Sequence, residues 1–224
     1  MTVELERYLD QQLRSVNGAV REYKSNLHTP ELLTEVHQTI WQVRGGLIDE
    51  NYEVGPCPYT KEELSDLEKQ GRRLGYLPVE LATQESRHLF RKIFQDQDPA
   101  LTKHNSVTND ENPSGWFDYE IGVSAPYLNT TEQQLREILA AQGRKLLSLN
   151  QYLVASHDSY LLAGRYLDKD TWVRLGSRWR GRLVRAQFGP YGFLEVHRHI
   201  GPSYHTRILG GRSSGVKKLK ILIL

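Results

Sequence analysis

Three short clusters in this chain hold residue types that do chemistry in enzymes. His157, Asp158 and Ser159 are adjacent and supply a base, a carboxylate and a hydroxyl. A nucleophilic triad forms by approach in space and not by adjacency, so this run by itself reads as polar turn or helix-cap residues. Joined with His197, it defines an enzyme reading, a site assembled from dispersed residues around His157, Asp158 and His197. His197 and His199 flank Arg198. At i and i+2 on a strand, two imidazoles project from one face and can share a metal ion, although the surrounding cations oppose a divalent ion. Gly211-Arg212-Ser213-Ser214-Gly215 has nucleophile-elbow spacing. That architecture needs an acid and a histidine after the serine, and no His, Asp or Glu follows Ser213. The segment therefore reads as a flexible loop or a nest of backbone N–H groups.

Several classes are set aside on composition. Cys57 is the single cysteine, so neither an intrachain disulfide nor a cysteine zinc cluster can form. It lies between Pro56 and Pro58 with no cation before Lys61 to lower its pKa. Phosphate-loop, dinucleotide, zinc-finger and EF-hand signatures are missing, and no cofactor is expected. The N-terminus has acids where a signal peptide has cations, and no window approaches the roughly 18 apolar residues of a membrane helix. A cytoplasmic location is the expectation. Asp168 and Asp170, either side of Lys169, read as a solvated turn.

Charge is the strongest pattern. Of 29 Lys and Arg, 11 fall between Thr171 and Leu224, whereas one of 27 Asp and Glu does, Glu195. A segment near +10 thus follows a body near −8, within a formal total of +2. A dense field of one sign on a rigid surface usually meets an anionic partner.

The elements that position these residues follow from periodicity and caps. Leu5, Leu9, Leu13, Val16, Val20, Tyr23 and Leu27 recur at helical spacing. Thr29-Pro30-Glu31 starts a second helix, with Leu32, Leu33, Val36, Ile40 and Val43 as its stripe and Gly45-Gly46 at its end. Thr60 and Glu63 form a capping box for a third helix carrying Leu64, Leu67 and Leu74. A fourth covers Gln84 to Phe94. Residues 1–94 therefore read as a helical region, 95–115 as a polar linker or long loop, and 116–224 as a mixed region. The mixed region opens with a strand at Trp116 to Val123, then a helix capped at Thr130 or Thr131. Residues 147–167 are ambiguous between helix and strand. The fold class expected is α+β, ending in a basic antiparallel β-meander.

The meander can be given a register. Phe188-Gly189-Pro190-Tyr191-Gly192-Phe193 predicts a three-residue hairpin loop with Gly192 left-handed. Phe188 then opposes Leu194, and Ala186 opposes Val196, on an apolar face. On the other face Gln187 opposes Glu195, Arg185 opposes His197, and Leu183 opposes His199. Val184 is placed opposite Arg198. A two-residue loop at Arg180-Gly181 adds Trp172 to Trp179, placing Val173 and Leu175 opposite Phe188 and Ala186. One face thus carries Trp172, Arg174, Arg178, Arg185, His197 and His199. With Lys217 and Lys218 these are the candidate binding residues for nucleic acid or another polyanion. A non-enzymatic binding protein is favoured over the enzyme reading. A third reading is a structural or interaction module, docking a protein partner through the helices or the C-terminal edge at Lys217 to Leu224.

Overall fold

The computed structural model describes residues 29–189 and 192–215, together with 17, 18 and 21. The first expected helix, Leu5 to Leu27, falls almost wholly outside them, as do Lys217, Lys218 and the apolar C-terminal end. Helix α1 spans Pro30–Gly46, and its N-cap Thr29 accepts a hydrogen bond from the Leu32 N–H at 3.2 Å. The stripe buries Leu33, Val36, Ile40 and Trp41. Helix α2, Lys61–Lys69, starts with the expected capping box between Thr60 and Glu63.

Helix α2 does not continue to Leu74. Gly71 takes φ +67° and breaks it, and the chain returns as strand β1, Arg72–Leu77. This strand pairs antiparallel with β3, Gly115–Glu120, Leu74 lying opposite Asp118. Gly75 lets the Phe117 ring pack closely across the pair, because a Cβ there would lie 3.0 Å from that ring. Helix α3, Arg87–Phe94, buries Phe90 and Ile93.

Residues 172–215 form the expected meander with additions. Strands β5, Trp172–Trp179, β6, Arg182–Phe188, and β7, Leu194–His197, run in sequence. Strand β2, Val107–Asn109, joins the far edge of β5 antiparallel. Strand β8, Leu209–Gly211, lies parallel to β5. Polar composition made 95–115 resemble a linker, yet Ala100, Leu101 and Val107 are fully buried. Its acids have a local task as well. The carboxylates of Asp96 and Asp98 accept the N–H groups of Leu194 at 2.9 Å and Val196 at 3.0 Å. Side chains thereby satisfy donors of β7 that would otherwise be open for pairing with another chain.

Helix α4, Glu132–Ala141, is capped by Thr131, and a short strand β4, Lys145–Leu146, follows. Residues 147–167 resolve into helix α5, Leu149–Ala163, capped by Ser148 and ended by Gly164 at φ +71°. Most positions of α5 are buried, polar ones included, so its sequence carries no clear amphipathic period. One apolar cluster runs from Leu33, Ile40 and Trp41 through Leu153 and Val154 to Val173, Ala186 and Phe188. The helices and the meander share that core.

The Gly211–Gly215 segment is neither a flexible loop nor an elbow. Ser213–Ser214 forms strand β9, paired with β4, and Gly210 to Ser214 are all buried. A Cβ on Gly210 would meet the Pro126 carbonyl at 2.1 Å, so the glycine permits close passage of two backbones. Arg212 is fully buried and bidentate to Asp168, at 2.6 and 2.9 Å. It also donates to the carbonyls of Glu120, Gly122 and Ser124. Asp168 is therefore no solvated turn residue. Removing one partner of a buried pair strands the other charge, which costs about 3–5 kcal/mol. Asp168→Ala is expected to lose that much in guanidinium denaturation, and a loss below about 1 kcal/mol would contradict this role.

Candidate functional site

The hairpin register of β6 and β7 is as expected. Phe188, Gln187, Ala186 and Arg185 oppose Leu194, Glu195, Val196 and His197. The loop closes with the Gly189 N–H donating to the Phe193 carbonyl at 2.9 Å, and Gly192 takes φ +79°. The ladder stops at His197, so the expected pairs at Arg198 and His199 do not form. Between β5 and β6 the two-residue turn holds, with Trp179 opposite Arg182 and Arg178 opposite Leu183. A bulge between Arg174 and Arg178 then shifts the register by two residues, placing Val173 opposite Ala186 and Arg174 opposite Arg185. A shift of two leaves each side chain on its own face.

The cations of that face have different fates. Arg174 is buried, donating to the carbonyls of Thr130 at 2.7 Å and of Tyr204. Arg178 pairs with Asp110 at 2.6 Å and Glu132 at 3.2 Å. Toward the rim, Arg185 lies 4.4 Å over the Trp172 ring and 3.3 Å from the His197 imidazole. His197 in turn packs on Trp172, centroids 4.5 Å apart. A second group forms at the other end of β5, where Arg180 lies 4.4 Å over Trp179 and His199 meets that ring edge-on at 4.7 Å. The two histidines thus engage different tryptophans. Among the described residues no three His, Cys, Asp or Glu side chains converge to hold a metal.

His157 and Asp158 belong to another place. Both lie on α5 against the apolar side of the sheet, where the His157 ring stacks on Phe94 at 3.7 Å and meets Phe188 edge-on. His197 is on the opposite face of the same sheet, paired in register with Arg185, so the three do not meet. Asp158 is fully buried and pairs with Arg44 of α1 at 2.7 Å. His37 lies nearby in the same electrostatic field, its ring edge-on to Trp116 at 5.0 Å. The apolar stripe of α1 faces this core rather than a docking groove. No long apolar helix that could cross a membrane occurs among the described residues.

Sequence reasoning missed the partners of the arginines because each lies far away in the chain. Asp110, Asp118, Glu132 and Asp168 looked like dispersed body acids. Each accepts a charged hydrogen bond from an arginine after the chain has folded back. No protein-family model, curated protein or solved structure matches this chain.

Burial pulls the His37 pKa down to about 4 and that of His157 well below its ordinary value. A histidine whose folded pKa lies below the unfolded one contributes fully above the unfolded value near 6.5, and its contribution falls as pH drops toward the folded value. Each such histidine steepens the loss by about 1.4 kcal/mol per pH unit. Denaturant titrations between about pH 6.5 and 4 are expected to show this slope, reduced by one histidine's share in His37→Phe. Identical slopes for the two proteins would refute a neutral buried His37.

Proposed function

We propose that this is a non-enzymatic binding protein that contacts nucleic acid, or a polyanion of similar charge density, through the rim of its C-terminal meander. One observation carries the reading. Two tryptophans on β5, Trp172 and Trp179, are each flanked by an arginine and a histidine. Among the described residues neither arginine has a carboxylate partner, and the same holds for the exposed Arg182 and Arg207. An arginine stacked on an indole gains from the cation–π contact and keeps its N–H edge for phosphate oxygens. Indole rings at the same place offer bases a stacking surface. The candidate list contracts accordingly. Trp172, Arg185, His197 and His199 stay in the contact set and Arg180, Arg182 and Arg207 join it, while Arg174, held by the Thr130 and Tyr204 carbonyls, and Arg178, paired with Asp110 and Glu132, leave it.

The test is fluorescence anisotropy of the full chain with mixed-sequence single-stranded RNA and DNA over a salt series. Binding that weakens steadily from about 50 to 200 mM salt is expected. A triple variant Arg180→Gln, Arg182→Gln, Arg185→Gln is expected to lose at least about tenfold in affinity and to flatten the log–log salt slope by about 2, since each phosphate contact on a single strand contributes about 0.7. Absence of binding at about 50 mM salt, or affinity indifferent to salt, would sink the reading.

A further inference from the structure

A separate cavity of about 740 Å³ opens between α4, β4 and the 110–113 segment, with neither β5 tryptophan in its lining. Its size lies within the range of small-molecule sites. One wall is apolar, formed by Pro113, Leu139, Ala140 and Leu146, and the other carries Arg144 and Gln151. Gln151 is 1% exposed. Its Oε1 accepts the Ser148 N–H at 3.1 Å in the α5 capping box. Its Nε2 donates to no described residue and is open to the cavity that the side chain lines. Arg144 is buried too, with Nε on the Ser213 hydroxyl at 2.7 Å and Nη2 on Asp118 at 2.5 Å. Its Nη1 has no hydrogen-bond partner among the described residues.

From this geometry we infer that the cavity binds a small organic acid, with its carboxylate on Gln151 Nε2 and Arg144 Nη1 and an aryl or alkyl body along Leu139, Ala140 and Leu146. The class follows from what is left open. Both unpartnered groups are donors, so the ligand must bring an acceptor. The acids at the cavity are already engaged, Asp110 by Arg136 at 2.9 Å and Glu111 by Lys145. Arg144 is itself paired with Asp118, just outside the lining, so the cavity's ion pairs are balanced. One of the two open donors belongs to a guanidinium, which favours a carboxylate over a neutral acceptor. The two ion pairs also tie the 110–113 segment to α4 and β4, which fixes the apolar wall at Pro113.

The probe is 2-naphthoate, with 2-naphthalenemethanol as its uncharged counterpart, titrated into the ¹⁵N-labelled full chain. The Gln151 side-chain NH₂ resonances are expected to shift saturably with the acid, and the alcohol to bind at least about tenfold more weakly. Ala140 is exposed on the cavity wall, so Ala140→Trp fills the space without disturbing a buried charge and is expected to abolish the shift. Gln151→Glu keeps the capping oxygen but replaces the donor with a carboxyl. It is expected to weaken the acid by at least about tenfold and leave the alcohol unchanged. The inference is overturned if 2-naphthoate gives no saturable shift by about 5 mM, if Ala140→Trp binds like the parent, or if the alcohol binds as tightly as the acid.

Discussion

A buried guanidinium must find partners for up to five N–H donors, and that requirement organises this molecule. Among the described residues Arg44, Arg87, Arg144, Arg174 and Arg212 are buried. Arg212 gathers three carbonyls from the chain that leaves β3 and fastens them to Asp168. Arg87 does the same for β2, donating to the Val107 carbonyl and to the side chains of Asn109 and Asn150. Arg174 draws the loops at Thr130 and Tyr204 onto the sheet. Apolar burial supplies the driving force, but it does not direct irregular backbone. A planar fork with fixed donor directions does.

The same arginines change the meaning of the charge split. Counted along the chain, 171–224 is a strongly basic segment. In space, Arg174 and Arg212 belong to the interior and Arg178 is neutralised by Asp110 and Glu132. The acidic excess of the body is in part the complement of these groups. Of the basic segment's described cations, Arg185 and Arg180 lie beside tryptophans at the two ends of β5. Net charge bears on association and solubility rather than on fold, and here a good part of it is structural.

Legibility in the sequence followed the range of the interaction. The caps at Thr29, Thr60 and Thr131 involve residues three apart, and all three were readable. The β6–β7 register was readable because its loop and its alternating faces agree. Strand β1 was not, since its partner lies about forty residues away and Leu74 fits a helical stripe equally well. The 95–115 stretch looked soluble because Asp96 and Asp98 bond the backbone of a strand about a hundred residues further on. Of the candidate site, the grouping of Trp172, Arg185 and His197 could be read from alternation. The covering of Arg174 and Arg178 could not, because loops from elsewhere provide it.

The parallel pairing of β8 with β5 bears on how the chain is made. Strand β8 and Arg212 occupy the last turns of the described chain, yet they seal the edge of β5 and the exit of β3. A ribosome that has delivered residues up to about 205 has exposed most of the apolar core. It has not yet supplied the side chain that fixes the 120–124 backbone. Ion pairs such as Arg44 with Asp158 likewise join segments over a hundred residues apart. Topologies with such distant contacts fold slowly, and intermediates with exposed apolar surface aggregate. The nascent chain must therefore stay soluble until its late residues emerge, and the polar 95–115 stretch and the acidic body suit that interval.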